Sequence, residues 1–109
     1  MAFREEKLKK QIMEHAAKFI ELDANRNALI TVTNCDISPK QNHATVYVTI
    51  LPEKQEEEII KDLEAKAGEM RKYIFDHLRI RAVPALKIVI DYGEKNRQRV
   101  EELSTQNAI

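Results

Sequence analysis

The residues from Glu53 to Leu78 carry the periodicity of one continuous helix, and a chain this short has nowhere to put so long a rod. Apolar side chains recur at Ile60, Leu63, Ala67, Met70, Ile74 and Leu78, the three-and-four spacing of a helix with one buried face. Unbroken, the stretch would measure roughly 39 Å at 1.5 Å per residue. A compact chain of 109 residues has a radius of gyration of only ~13 Å. A bend is therefore predicted, and Gly68 is the residue that invites it. Charge changes sign at the same place: Glu53 to Met70 holds seven acids and three bases, and Arg71 to Val100 holds eight bases and three acids. A glycine bend with a basic segment beyond it points to a place where a backbone meets phosphate.

On either side of that stretch the pattern is easier to read. A first helix is predicted from Arg4 to Leu22, with Leu8, Ile12, Ala16 and Phe19 on one face and Met13 and Ile20 widening it. The turn-forming residues Asp23 to Ala28 end it. Leu29 to Ser38 reads as a strand in which Ile30 and Val32 alternate with Thr31 and Thr33. Its apolar phase then slips by one, to Cys35 and Ile37, which predicts a β-bulge near Thr33 and Asn34. His43 to Leu51 alternates cleanly, with Ala44, Val46, Val48 and Ile50 inward and His43, Thr45, Tyr47 and Thr49 outward. The two strands form a hairpin across Ser38 to Asn42. Pro84 forces extended backbone before a third strand, Leu86 to Tyr92, which Gly93 terminates. Residues 94–109 form a polar tail with a weak helix around Arg97 to Leu103. The expectation is an α+β fold, a single domain over residues 1–93 with helices packed on a three-stranded sheet.

Composition removes several classes of function. No apolar run is long enough to span a membrane, and the charged start Met-Ala-Phe-Arg-Glu-Glu-Lys is unlike a secretory signal. The single cysteine, Cys35, has no internal partner and no metal-finger spacing surrounds it. A cytoplasmic monomer without metal or cofactor is expected. His15, His43 and His77 are too scattered for a metal site, and no nucleophile–base pairing is suggested, so neither catalysis nor a small-molecule substrate is expected. The formal net charge of zero counts against a strong nucleic-acid binder, although the charge is segregated along the chain.

Four segments together resemble the ribosome-binding factor A family. They are Ile30-Thr-Val-Thr-Asn-Cys-Asp-Ile-Ser38, Ala44-Thr-Val-Tyr-Val48, Gly68-Glu-Met-Arg71 and Leu78-Arg-Ile-Arg-Ala-Val-Pro-Ala-Leu86 with Asp91 soon after. The last is the most specific, and the likeness covers about Phe3 to Tyr92. It implies a KH-type fold, type II-like, with the order α-β-β-α-(bend)-α-β. It implies a non-enzymatic factor that binds the immature small ribosomal subunit and assists late maturation of its RNA. The Gly-x-x-Gly loop of many KH folds is an Ala-x-Gly bend in this family. The bend falls here on Lys66, Ala67 and Gly68, with lysine where the family has alanine.

The candidate RNA-binding residues are therefore Lys66, Ala67 and Gly68 at the bend, Arg71 and Lys72 beyond it, Arg79 and Arg81 in the following turn, and Ser38 and Lys40 leaving the first strand. Each has a plainer reading. A lone arginine or lysine is commonly a solvated charge, Gly68 an ordinary helix glycine, and Ser38 a turn residue. Tyr47 either stacks on a base or packs across the strands. A rival function from another class is a protein–protein adaptor that presents the acidic residues 53–64 to a basic partner, with no role for RNA.

Overall fold

The computed structural model describes residues 2–23, 28–78 and 82–107, with side chains described for 5–23, 28–78 and 82–100. The order is α1 (Ala2–Leu22), β1 (Leu29–Ile37), β2 (His43–Leu51), α2 (Glu56–Ala65), α3 (Ala67–Leu78), β3 (Ala85–Ile90) and α4 (Tyr92–Asn107), with a 3₁₀ turn at Glu53–Gln55 leading into α2. This is the expected α+β arrangement of helices on a three-stranded sheet. The sheet order is β1-β2-β3, antiparallel between β1 and β2 and parallel between β2 and β3.

The inward alternation of β2 holds: Ala44, Val46, Val48 and Ile50 are buried against Ile12, Ala16 and Ile20 of α1, Leu63 of α2, Met70 and Ile74 of α3, and Ile88 of β3. Thr49, expected to face out, is buried as well. The slip of phase in β1 is a bulge, because Val32 pairs with Val48 and Asn34 with Tyr47, leaving Thr33 as the extra residue. The bulge returns Cys35 to the core, where burial pushes its thiol up to about 11. It also frees Thr33 to reach across the sheet, where its hydroxyl donates to Asp91 Oδ2 at 2.6 Å.

The long helical stretch is broken, but at Lys66 and not at Gly68. Lys66 has φ −99° and ψ 8°, and its N–H donates to the carbonyls of Asp62 and Leu63, both at 3.1 Å, which closes α2. Its own carbonyl accepts from Met70 N–H at 2.9 Å and opens α3. That conformation has negative φ, so any residue adopts it and no glycine is required. Gly68 lies in the first turn of α3 with φ outside the left-handed range, and a Cβ built on it meets nothing within 4 Å. In α2 it is Ile59, and not Ile60, that is buried in the core.

The third strand ends at Ile90, so Gly93 is not its terminator. Tyr92 and Gly93 already belong to α4, which runs for 16 residues where a short weak helix was expected. The cause is Asp91. Its Oδ1 accepts from Glu94 N–H at 3.0 Å and its carbonyl accepts from Lys95 N–H at 3.0 Å, the geometry of a helix N-cap. The Glu94 N–H, with the Thr33 hydroxyl next, holds the Asp91 carboxyl below its usual value.

Two outcomes follow from this backbone. Gly68→Ala should raise the melting free energy by up to ~1 kcal/mol, because alanine freezes less backbone entropy in a helix and has free space here; thermal denaturation of both proteins measures it, and a loss of stability would contradict the open geometry. Asp91→Ala should lower stability by about 1 kcal/mol at neutral pH through loss of the cap. A carboxyl whose value is depressed in the folded state contributes stability that is complete above its unfolded value, ~3.9, and is lost as pH falls through the folded value. Denaturant titrations should therefore show the difference between the two proteins shrinking below about pH 4.

Candidate RNA-binding cleft

Helix α3 has two working faces. Met70 and Ile74 fill the core, while Gly68, Arg71, Lys72 and Phe75, spaced i, i+3, i+4 and i+7, share the side turned away from it. Together with Ala82 and Val83 they line a cleft of about 360 Å³. Arg71 forms one wall by donating its Nε–H to the Val83 carbonyl at 2.8 Å. A guanidinium has five N–H donors, so the two terminal nitrogens remain for a phosphate. Lys72 is exposed, and among the described residues no carboxylate pairs with it or with Arg71. Phe75 is 47% exposed, an uncommon position for a large aromatic ring. Gly68 offers bare backbone at the same surface.

The hairpin turn lies at the same end of the sheet. Asn42 carbonyl accepts from Ala85 N–H at 3.0 Å, which ties the β1–β2 turn to the strand that Val83 leads into. Ser38 Oγ donates to Asn42 Oδ1 at 2.9 Å and accepts from His43 N–H at 3.1 Å, so Ser38 has the turn role. Lys40 is exposed in that turn. Arg79 and Arg81 lie outside the described residues.

Two expected contacts are otherwise engaged. Lys66 Nζ sits 2.8 Å from Asp23 Oδ2 and 3.4 Å from Asp62 Oδ2, joining the ends of α1 and α2. Ala67 is half-buried against the core. Tyr47 donates its hydroxyl to Asp36 Oδ2 at 2.9 Å, the cross-strand alternative, and that bond raises its value above the ordinary phenol range. His15 and His77, far apart in sequence, have ring centroids 5.7 Å apart at the α1–α3 seam, with Tyr73 stacked 4.0 Å from His77. They are not scattered, yet no group of three metal-ligating side chains forms among the described residues.

Phe75 is the site residue that sequence reasoning missed. Its signal was present: it is the i+7 member of the series that starts at Gly68, off the apolar stripe of Met70, Ile74 and Leu78. Among the described residues no helix is long and apolar enough to cross a membrane.

Comparison with known proteins bears on this arrangement. Residues 4–104 match the model of the family described as Ribosome-binding factor A. A ribosome-binding factor A from Thermomicrobium roseum is 30% identical over 108 residues, covering 96% of this chain and 84% of that one. The crystal structure of ribosome-binding factor A from Thermus thermophilus superposes with a TM-score of 0.70 at 24% identity, over 79% of this chain and 94% of that one, and shares the KH-like fold. A Thermus thermophilus coordinate set fitted into the cryo-EM map of a complex with the 30S subunit gives a TM-score of 0.63 at 24% identity, over 83% and 93% of the two chains. With the family match running almost end to end and that 30% identical relative spanned over most of its length, this chain belongs to the ribosome-binding factor A family.

Proposed function

We propose that this protein is a non-enzymatic assembly factor that binds the immature small ribosomal subunit through its ribosomal RNA and assists late maturation of that RNA. The observation that supports the reading most is the cleft beside α3, where bare glycine backbone, two cations with no carboxylate partner among the described residues and an exposed aromatic ring converge. A phosphodiester fits between Gly68, Arg71 and Lys72, and an unstacked base fits on Phe75, where stacking contributes ~1–3 kcal/mol. Lys40 adds charge along the same RNA path, and Arg79 and Arg81 add charge in the chain segment that follows α3. By holding a maturing RNA conformation more tightly than its competitors, the factor shifts the population towards it. It acts in the cytoplasm as a monomer and needs no metal. A complex of the Thermus thermophilus relative with the 30S subunit agrees with this choice of partner.

The adaptor alternative is weaker in this fold. Of its acidic residues, Glu53 and Glu56 are paired with Lys95 and Arg99.

Co-sedimentation with purified small subunits on sucrose gradients tests the reading. Lys72→Glu should weaken binding and make its salt dependence shallower by about one unit for the lost phosphate contact. Phe75→Ala should weaken it at every salt concentration, since stacking carries no counterion term. Gly68→Ala should bind less well while melting higher. Arg79→Glu with Arg81→Glu should be more damaging than Lys9→Glu with Lys10→Glu. Wild-type sedimentation by both Lys72→Glu and Phe75→Ala would remove the cleft from the interface.

A further inference from the structure

Helix α4 is held to the body in an unusual way. A surface helix ordinarily docks through an apolar stripe, but Tyr92 and Val100 of α4 are 63% and 61% exposed. Its described ties to the body are charged. Lys95 Nζ lies 2.6 Å from Glu53 Oε1 and 3.1 Å from Glu56 Oε2, and Arg99 lies 3.2 Å from Glu53 Oε1. Lys95 is sheltered, with 20% of its side chain exposed, whereas Arg99 and Glu53 are more than half exposed. The Lys95 ammonium also sits 5.7 Å from the Tyr92 ring centre. These contacts surround a shallow recess lined by Thr49, Leu51 and Gln98. The Lys95–Glu56 pair is sheltered on both sides, at 20% and 18%, and is screened less by salt; the Arg99–Glu53 pair is exposed, contributes about 0–1 kcal/mol and weakens with salt. The Asp91 cap at the start of the helix is separate from these contacts, and a helix of this length is marginal in water once it is undocked.

We propose that Lys95 and Arg99 form a second phosphate-binding site that is closed in the free protein by Glu53 and Glu56. The two carboxylates stand where phosphodiester oxygens would bind. RNA held in the cleft raises the local concentration of phosphate, the bases change partners, and α4 leaves β2 as an arm that pivots on Asp91 and presents Lys95 and Arg99. The arm starts at the far end of β3 from the cleft, about 17 Å away along a six-residue strand, so it reaches a different part of the RNA. The partner rests on the RNA reading above; the clasp does not.

Hydrogen exchange at the α4 amides, followed in the free protein as NaCl rises from about 0.05 to 1 M, tests the clasp alone. Protection falling with salt is expected, and protection that persists overturns the proposal whether or not RNA binds. Binding to purified small subunits then tests the site. Glu53→Gln with Glu56→Gln should bind about two- to tenfold more tightly than wild type, with a salt slope steeper by about 1.4 to 1.8 for two added phosphate contacts. Glu57→Gln with Glu58→Gln makes the same change of net charge away from the clasp and should gain less. Lys95→Glu with Arg99→Glu frees the arm without its bases and should bind more weakly. Equal gains by the two glutamine pairs, or unchanged α4 protection in the complex, would overturn the exchange.

Discussion

Strands β2 and β3 run parallel, and a parallel pair cannot be joined by a tight turn. Everything between Leu51 and Ala85 is the crossover that this pairing demands. The crossover has to pass over the inward face of the sheet and bring the chain back to the end where β2 began. A helix of ten residues spans ~15 Å and one of twelve ~18 Å, each close to the length of a strand, whereas the unbroken rod would overshoot. The break at Lys66 is thus a requirement of the sheet. Because β3 must start beside Asn42, the exit of α3 and residues 82–84 are brought to the hairpin end, and the cleft forms there.

The parts of this architecture that depend on alternation were legible in the sequence. The bulge at Thr33 showed as a slip of apolar phase, since a shift of one residue would otherwise turn Cys35 away from the core. The break was legible in kind but not in place. Glycine is where a helix bends most readily, but Lys66 closes α2 through two carbonyls at negative φ and so leaves no trace in its residue type. The parallel partner of β2 was not legible, because pairing across a crossover carries no local signal. Helix α4 outruns its weak apolar pattern because it rests on a cap whose aspartate, by alternation alone, reads as part of a strand.

The site was legible for a similar reason in part only. Whether a lysine is open to a ligand depends on partners remote in the chain: Lys66 meets Asp23, Lys95 meets Glu56 and Arg99 meets Glu53. Lys72 carries the same charge and has no such partner among the described residues. A net charge of zero therefore describes the balance of the chain and says little about the surface. Lys66 and Lys95 are neutralised at helix ends, whereas Arg71 and Lys72 border the cleft without a carboxylate partner among the described residues.

The bond from Thr33 to Asp91 joins residues 58 apart in sequence. It closes only after β3 has paired with β2, and β3 is the last of the three described strands. Contacts of such separation carry a large loop-closure entropy and form late. On a translating ribosome the first hairpin and α1 can meet early, but the central strand keeps one open edge until residues 85–90 have left the exit tunnel. A chain with this topology completes its sheet only after residues 85–90 have been made, and the hydroxyl displaced by the bulge is the latch that registers completion.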